Sequence, residues 1–155
     1  MAYEKRRDTC VLFLEQGFGT TINPQKLTDA GFDVVCFAHE FPEQFANNER
    51  VLDPLIISRC EQKGYDLFTF DKSMRFTHVE AIKKTSVAII ATESCDKFTP
   101  EQWVDALIKA APLVKRKLRK FQRPWFAHLT IAGKLRQIQT ITVEMRTRRN
   151  RPDEG

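Results

Sequence analysis

The sequence predicts an α/β fold, a three-layer arrangement with a mainly parallel central sheet and a C-terminal β-hairpin, and three observations predict it. Short unbroken apolar runs alternate with segments of helical rhythm, as strands buried on both faces and their crossover helices do. Several of the helical segments open on capping chemistry. After Pro124 the apolar period changes to two, the pattern of paired antiparallel strands.

In chain order, Cys10 to Leu14 (CVLFL) is the first strand, with Glu15 directly after it. Asn23-Pro24 reads as a cap and first-turn proline for a short helix that ends at Ala30-Gly31, and Asp33 to Phe37 is the second strand. His39 to Arg50 is polar and aromatic without a period, so an irregular lid or substrate loop is expected there. Asp53 reads as an N-cap followed by Pro54 at the first helical position, and Gly64 stops the helix. Leu67 to Phe70 is the third strand, ending on Asp71. Met74 to Lys84 has a helical rhythm, and Val87 to Ala91 is the fourth strand. Thr99-Pro100-Glu101-Gln102 is a capping box. The helix it opens carries Trp103, Leu107, Ala110, Val114, Leu118 and Phe121 as a core-facing stripe, with Pro112 expected to kink or restart it. Trp125 to Ile131 and Leu135 to Val143, joined through Ala132-Gly133-Lys134, form the hairpin.

At 155 residues with 42% hydrophobic content, the chain is long enough for one core and short for two. One domain is expected over 1–145, with 146–155 as a basic, disordered tail. No apolar run approaches the roughly 18 residues of a membrane span, and the charged N-terminus is not a signal peptide, so a soluble cytoplasmic protein is expected. The four cysteines, Cys10, Cys36, Cys60 and Cys95, have no CxxC pair and no histidine at zinc-ligand spacing, and read as reduced thiols.

The net charge of +5 is unevenly spread. Lys109, Lys115, Arg116, Lys117, Arg119, Lys120 and Arg123 cluster late, and Arg146, Arg148, Arg149 and Arg151 form the tail. This fits a partner bearing phosphate or carboxylate, and leaves RNA, DNA and an acidic protein open. A solvated helix face is the plainer alternative.

Glu15 and Asp71 end strands, where open α/β sheets bind ligands, and Asp53 opens a helix packed beside them. Gathered carboxylates repel and raise each other's proton affinity unless a cation lies between them, and Mg²⁺ favours such oxygen donors. A bound metal would acidify a coordinated water and polarise a phosphodiester. Taken singly, each acid reads as a cap, a turn residue or a loop charge; it is their joint placement that points to a site. Thr69 shares a strand face with Asp71 and is placed to orient a carboxylate. Lys72 and Arg75 are candidates for the scissile phosphate. Glu80 is a candidate outer acid, and Glu40, beside His39, a weaker one. Gly17-Phe18-Gly19 follows a strand, but Ile22 stands where a dinucleotide fingerprint needs its third glycine and no acid ends the second strand, so a Rossmann cofactor site is set aside. No P-loop or GxSxG is present.

The runs VLFLEQGFG, KLTDAGFDVVCFAHEFPE, DPLIISRCEQKGYDLFTFDKSMR and PWFAHLTIAGKL together resemble the PIN-like nucleases of the VapC toxin superfamily, over roughly residues 11–135. The most specific element is the Asp53-to-Asp71 spacing with Gly64 and Thr69 in place. The resemblance implies a PIN-like fold and a metal-dependent endoribonuclease, often the toxin half of a toxin–antitoxin pair, that uses Mg²⁺ or Mn²⁺ held by acids. Those roles map onto Asp53 and Asp71, and onto Glu15 where the family usually has Asp. The longer side chain shifts a ligand by a methylene, and Phe70 stands where the family often has lysine. The fourth acid maps to Glu80. Catalysis would then rest on Glu15, Asp53, Asp71 and Thr69, with Lys72, Arg75, Lys115 and Lys117 holding RNA. A cognate antitoxin and a homodimer are the further expected partners. The alternatives are an impaired PIN-like module that binds RNA or protein, and a small-molecule hydrolase using the same metal.

Overall fold

The structure, a computed structural model, describes residues 10–94 and 96–145. The expected basic tail and Cys95 lie outside the described residues. Among the described residues six strands form one sheet in the order β2-β1-β3-β4-β5-β6. They are β1 (Val11–Leu14), β2 (Asp33–Cys36), β3 (Tyr65–Thr69), β4 (Ala88–Thr92), β5 (Trp125–Leu129) and β6 (Leu135–Thr140). All neighbours are parallel except β5 and β6. The α/β class and the late antiparallel hairpin thus stand as the alternation of periods indicated.

Side-chain parity divides the core into two halves, one on each face of the sheet. Leu12, Leu14, Phe68, Ile90, Trp125 and Leu129 pack to one side, under α1 (Ile22–Asp29), α7 (Pro100–Lys109) and α8 (Ala111–Lys120). Phe13, Leu67, Ile89 and Phe126 pack to the other, under α4 (Asp53–Lys63) and four one-turn helices. Central strands covered on both faces need apolar side chains at every position, which is why they read as unbroken runs.

Several boundaries differ from expectation. The stretch expected to be irregular contains two short helices, α2 (Phe37–Glu40) and α3 (Pro42–Ala46). Phe37 and Phe41 stack at 5.2 Å and meet Phe13 edge-on, so aromatic packing orders a segment whose polarity hid its structure. Met74 to Lys84 is two turns rather than one helix, α5 (Met74–Thr77) and α6 (Val79–Ile82), interrupted at His78 where φ is −127°. The long amphipathic segment divides at Ala110, and Pro112 sits in the first turn of α8, where its missing N–H costs nothing. Strand β5 stops at Leu129 and β6 at Thr140, short of the predicted ends. The capping box is present, with Gln102 N–H donating to Thr99 Oγ1 at 3.2 Å and Thr99 N–H to Gln102 Oε1 at 2.8 Å. Gly64 closes α4 in the left-handed conformation, φ 78°.

Charge is also built into the interior. Asp66 and Arg123 are fully buried together: Arg123 Nη2 donates to Asp66 Oδ2 at 2.9 Å, and Nη1 to Oδ1. Arg123 also donates to the Leu118 and Ser86 carbonyls, and Ala88 N–H donates to Asp66. The pair welds the entries of β3, β4 and β5. Arg123 is therefore a core residue, not part of a solvated basic face.

Candidate active site

The order of strands reverses direction between β1 and β3, and at such a switch point the helices leave the carboxyl edge on opposite faces and open a crevice. A cleft of about 490 Å³ lies there, lined by Glu15, Asp53 and Asp71 together with Gln16, Gly17, Phe37, Arg50 and Phe70 among others. Register explains the convergence. Leu14 pairs with Phe68, so Glu15 comes off β1 abreast of Thr69, and its N–H donates to the Phe68 carbonyl at 3.2 Å. Strand β3 then delivers Asp71 to the same edge. Helix α4 runs back against β3, which puts its start, and Asp53, beside both.

Asp53 is not the cap: the N-cap is Leu52, and Asp53 is the first helical residue without a side-chain capping bond. Its carboxylate is turned to the cleft. Burial pushes its proton affinity up, and Asp71 adds to this by charge and by a hydrogen bond between the two carboxyls; His78 and Arg50 oppose it. The His78 ring, Nε2 3.5 Å from Asp53 Oδ2, is placed by the break between α5 and α6. Burial likewise raises Glu15, offset by hydrogen bonds from Phe70 and Thr69, with smaller upward contributions from Asp53 and Asp71.

Glu15 is held fast. Thr69 Oγ1 donates to Oε1 at 2.9 Å and Phe70 N–H to Oε2 at 3.1 Å. The Thr69 hydroxyl also accepts from the Asp71 N–H at 3.1 Å, so one side chain sets both acids. Asp71 Oδ1 accepts from Ser73 N–H and Oγ at 3.0 and 2.8 Å, which fixes its rotamer. Gly17 is required by packing: a Cβ there would lie 2.8 Å from the Phe70 ring, which stacks on Phe18 at 4.1 Å. The Gly17-Phe18-Gly19 run is thus an aromatic-packing device.

Among the described residues no group of three or more His, Cys, Asp or Glu side chains is placed to hold a metal ion. The expected three-carboxylate cage is not what the geometry provides, because both Glu15 oxygens face protein donors. Mg²⁺ commonly takes only one or two carboxylates and keeps several waters. The adjacent Asp53 and Asp71, both lining the cleft, fit that smaller requirement.

The remaining candidates disperse. Glu80 is exposed on α6, 2.7 Å from Lys83, and does not line the cleft. Glu40 accepts from Arg59 at 3.3 Å and from the Tyr65 hydroxyl at 3.0 Å, a bracing role beneath α2. Lys72 lies at the carboxyl edge, exposed, its carbonyl 3.1 Å from His128 Nε2. Arg75 is engaged with β6: it donates to Gln137 O and to the Gln137 and Gln139 side chains, and its guanidinium lies over Phe76 and Phe126. Lys115 donates to the Ala30 carbonyl at 3.1 Å and covers Phe32, and Lys117 lies over Phe121. Both lysines are at the amino edge of the sheet, opposite the cleft. Sequence reasoning missed Arg50, the cation that does line the cleft; its signal was its position just before Asp53.

Cys60 is buried, and Cys10 and Cys36 are partly so, with burial raising both of these thiols. Among the described residues no helix is long and apolar enough to cross a membrane. Compared with models of protein families, with curated proteins and with solved structures, the chain matches none.

Proposed function

We propose that the protein is a metal-dependent endoribonuclease of PIN-like architecture, the toxin component of a toxin–antitoxin pair. The observation that carries the reading is the Asp53–Asp71 pair, two adjoining carboxyls at the switch-point cleft, of which Asp53 has its proton affinity raised by burial and by the charge of Asp71. Such a pair costs stability at neutral pH and is relieved by a hard dication. Asp53 and Asp71 would hold Mg²⁺ or Mn²⁺, which supplies an activated water and a polarised phosphodiester. Glu15, oriented by Thr69 and Phe70 and raised in proton affinity, accepts the proton of the attacking water. Arg50 at the cleft and Lys72 on the exposed carboxyl edge meet the phosphate backbone, and Thr69 positions Glu15 and Asp71.

The test is calorimetric titration of the folded protein with Mn²⁺, paired with cleavage of single-stranded RNA by the parent and by Asp71→Asn. Saturable uptake and cleavage, both lost in the variant, are expected. Absence of manganese uptake sinks the reading.

One observation favours a second reading, an impaired module that binds RNA or a protein partner: both Glu15 oxygens are already occupied by protein donors. That reading expects manganese and RNA binding with no cleavage.

A further inference from the structure

The carboxylate cleft also has an aromatic wall. Of the two rings in its lining, Phe37 is 3% exposed and packed against Phe13 and Phe41, so it has little surface to offer. Phe70 is only partly buried, and it stands between Thr69 and Asp71, on the short stretch of backbone that carries the site. Its ring is fixed from behind. Phe18 is sandwiched between Phe68 and Phe70, with ring centroids 4.4 and 4.1 Å away and planes within 20° and 18° of parallel. Phe68 and Phe18 are sealed from solvent. Gly17 lies against the Cε2 side of the Phe70 ring, so closely that a Cβ there would come within 2.8 Å of it. Among the described residues no second ring or cation covers Phe70. It is therefore the outermost ring of a three-ring column that ends at the cleft.

An aliphatic side chain would close the core at this point equally well. What an immobilised ring adds is a flat face, already held in place, on which another planar group can stack without further ordering of the protein. The acids and Arg50 answer a phosphodiester and its counter-ion; they leave the base of a nucleotide unaddressed. Unpaired bases stack on aromatic side chains whatever their sequence. We infer that Phe70 is the base-stacking platform of the cleft: one unpaired base extends the Phe68–Phe18–Phe70 column, and the phosphate beside it lies at Asp53 and Asp71. The inference rests on the proposed nuclease function and adds that the strand is unpaired at the cut, because a base inside a duplex has both faces occupied by its neighbours.

The experiment compares a short single-stranded oligoribonucleotide with its abasic ribose-phosphate copy by fluorescence anisotropy. Ca²⁺ replaces Mn²⁺ as the oxygen-seeking dication, so that binding is read without turnover. The parent protein is expected to hold the base-bearing strand about tenfold or more tightly, as one stacked base implies. Phe70→Leu should bring that ratio toward one, with circular dichroism checking its fold, and Phe70→Trp should keep it. A 2-aminopurine in the strand should lose fluorescence on binding to the parent and to Phe70→Trp. Equal affinity of the parent for the two copies overturns the inference whether or not the leucine variant folds, as does a ratio that survives Phe70→Leu. Failure of the nuclease reading looks different: manganese uptake and cleavage are absent, while the preference for bases and its dependence on Phe70 remain.

Discussion

The two ends of β3 handle the same chemical problem in opposite ways. Near its amino end, Asp66 is buried against Arg123 in a two-pronged ion pair that also satisfies three backbone groups. Just past its carboxyl end, Asp71 adjoins Asp53 and shares a cleft with Glu15, and the groups that hold these acids are mostly neutral donors. At one end the chain supplies the counter-charge and the acid serves folding. At the other the counter-charge is only partial, from His78 and Arg50 beside Asp53, and the acids line an open cleft.

Removing Arg123's partner should break the contrast most visibly. Asp66→Ala leaves a guanidinium in the core with its charge uncompensated, and urea unfolding should register a loss of about 3–5 kcal/mol. A loss below about 1 kcal/mol would show that the two ends are not energetically distinct. Asp71→Asn should do the reverse: RNA cleavage falls by at least about a hundredfold, as expected for loss of a ligand, while the urea midpoint holds or rises because a repulsion is gone.

Acidity sharpens the comparison further. Burial holds the folded-state pKa values of Glu15 and Asp53 above the ordinary carboxylate range. A carboxyl raised on folding contributes stability below its unfolded pKa and loses it as pH climbs through the folded one. Thermal midpoints should therefore fall as pH rises above the ordinary carboxylate range, and Mn²⁺ at neutral pH should restore them. A shallower slope in Asp53→Asn would assign the missing part to that carboxyl and leave the Glu15 part in place. Gly17→Ala should cost about 1 kcal/mol by driving a methyl into the Phe70 ring, and Lys117→Ala, on the opposite edge, should stay within about 0.5 kcal/mol and leave manganese affinity untouched.

What the sequence made legible follows from local physics. Unbroken apolar runs, the Gly64 stop and the Thr99 capping box each depend on residues close in the chain, and each stands where expected. The convergence of Glu15, Asp53 and Asp71 on one cleft was legible because strand ends and helix starts share an edge in any sheet of this kind. Long-range pairing was not. Arg123 looks like its basic neighbours until Asp66 is brought to it, and Arg75 looks like a phosphate ligand until β6 folds across it. Asn23-Pro24 reads as a cap, yet the helix begins at Ile22 and the Asn23 amide turns inward to Phe18. The order in residues 37–46 comes from rings meeting across the chain, which no local period records.

The Arg75 clasp has one more consequence. Strand β6 carries a bulge opposite Phe126 and His128 with Gln137 at φ 53°, and that kink aims the Gln137 carbonyl and amide at Arg75, four residues beyond Asp71. Strand β6, later in the chain than every acid of the cleft, thus latches the segment that follows Asp71. A chain trimmed before β6 would own every carboxylate of the cleft and lack the clasp that ties the segment after Asp71 to the sheet.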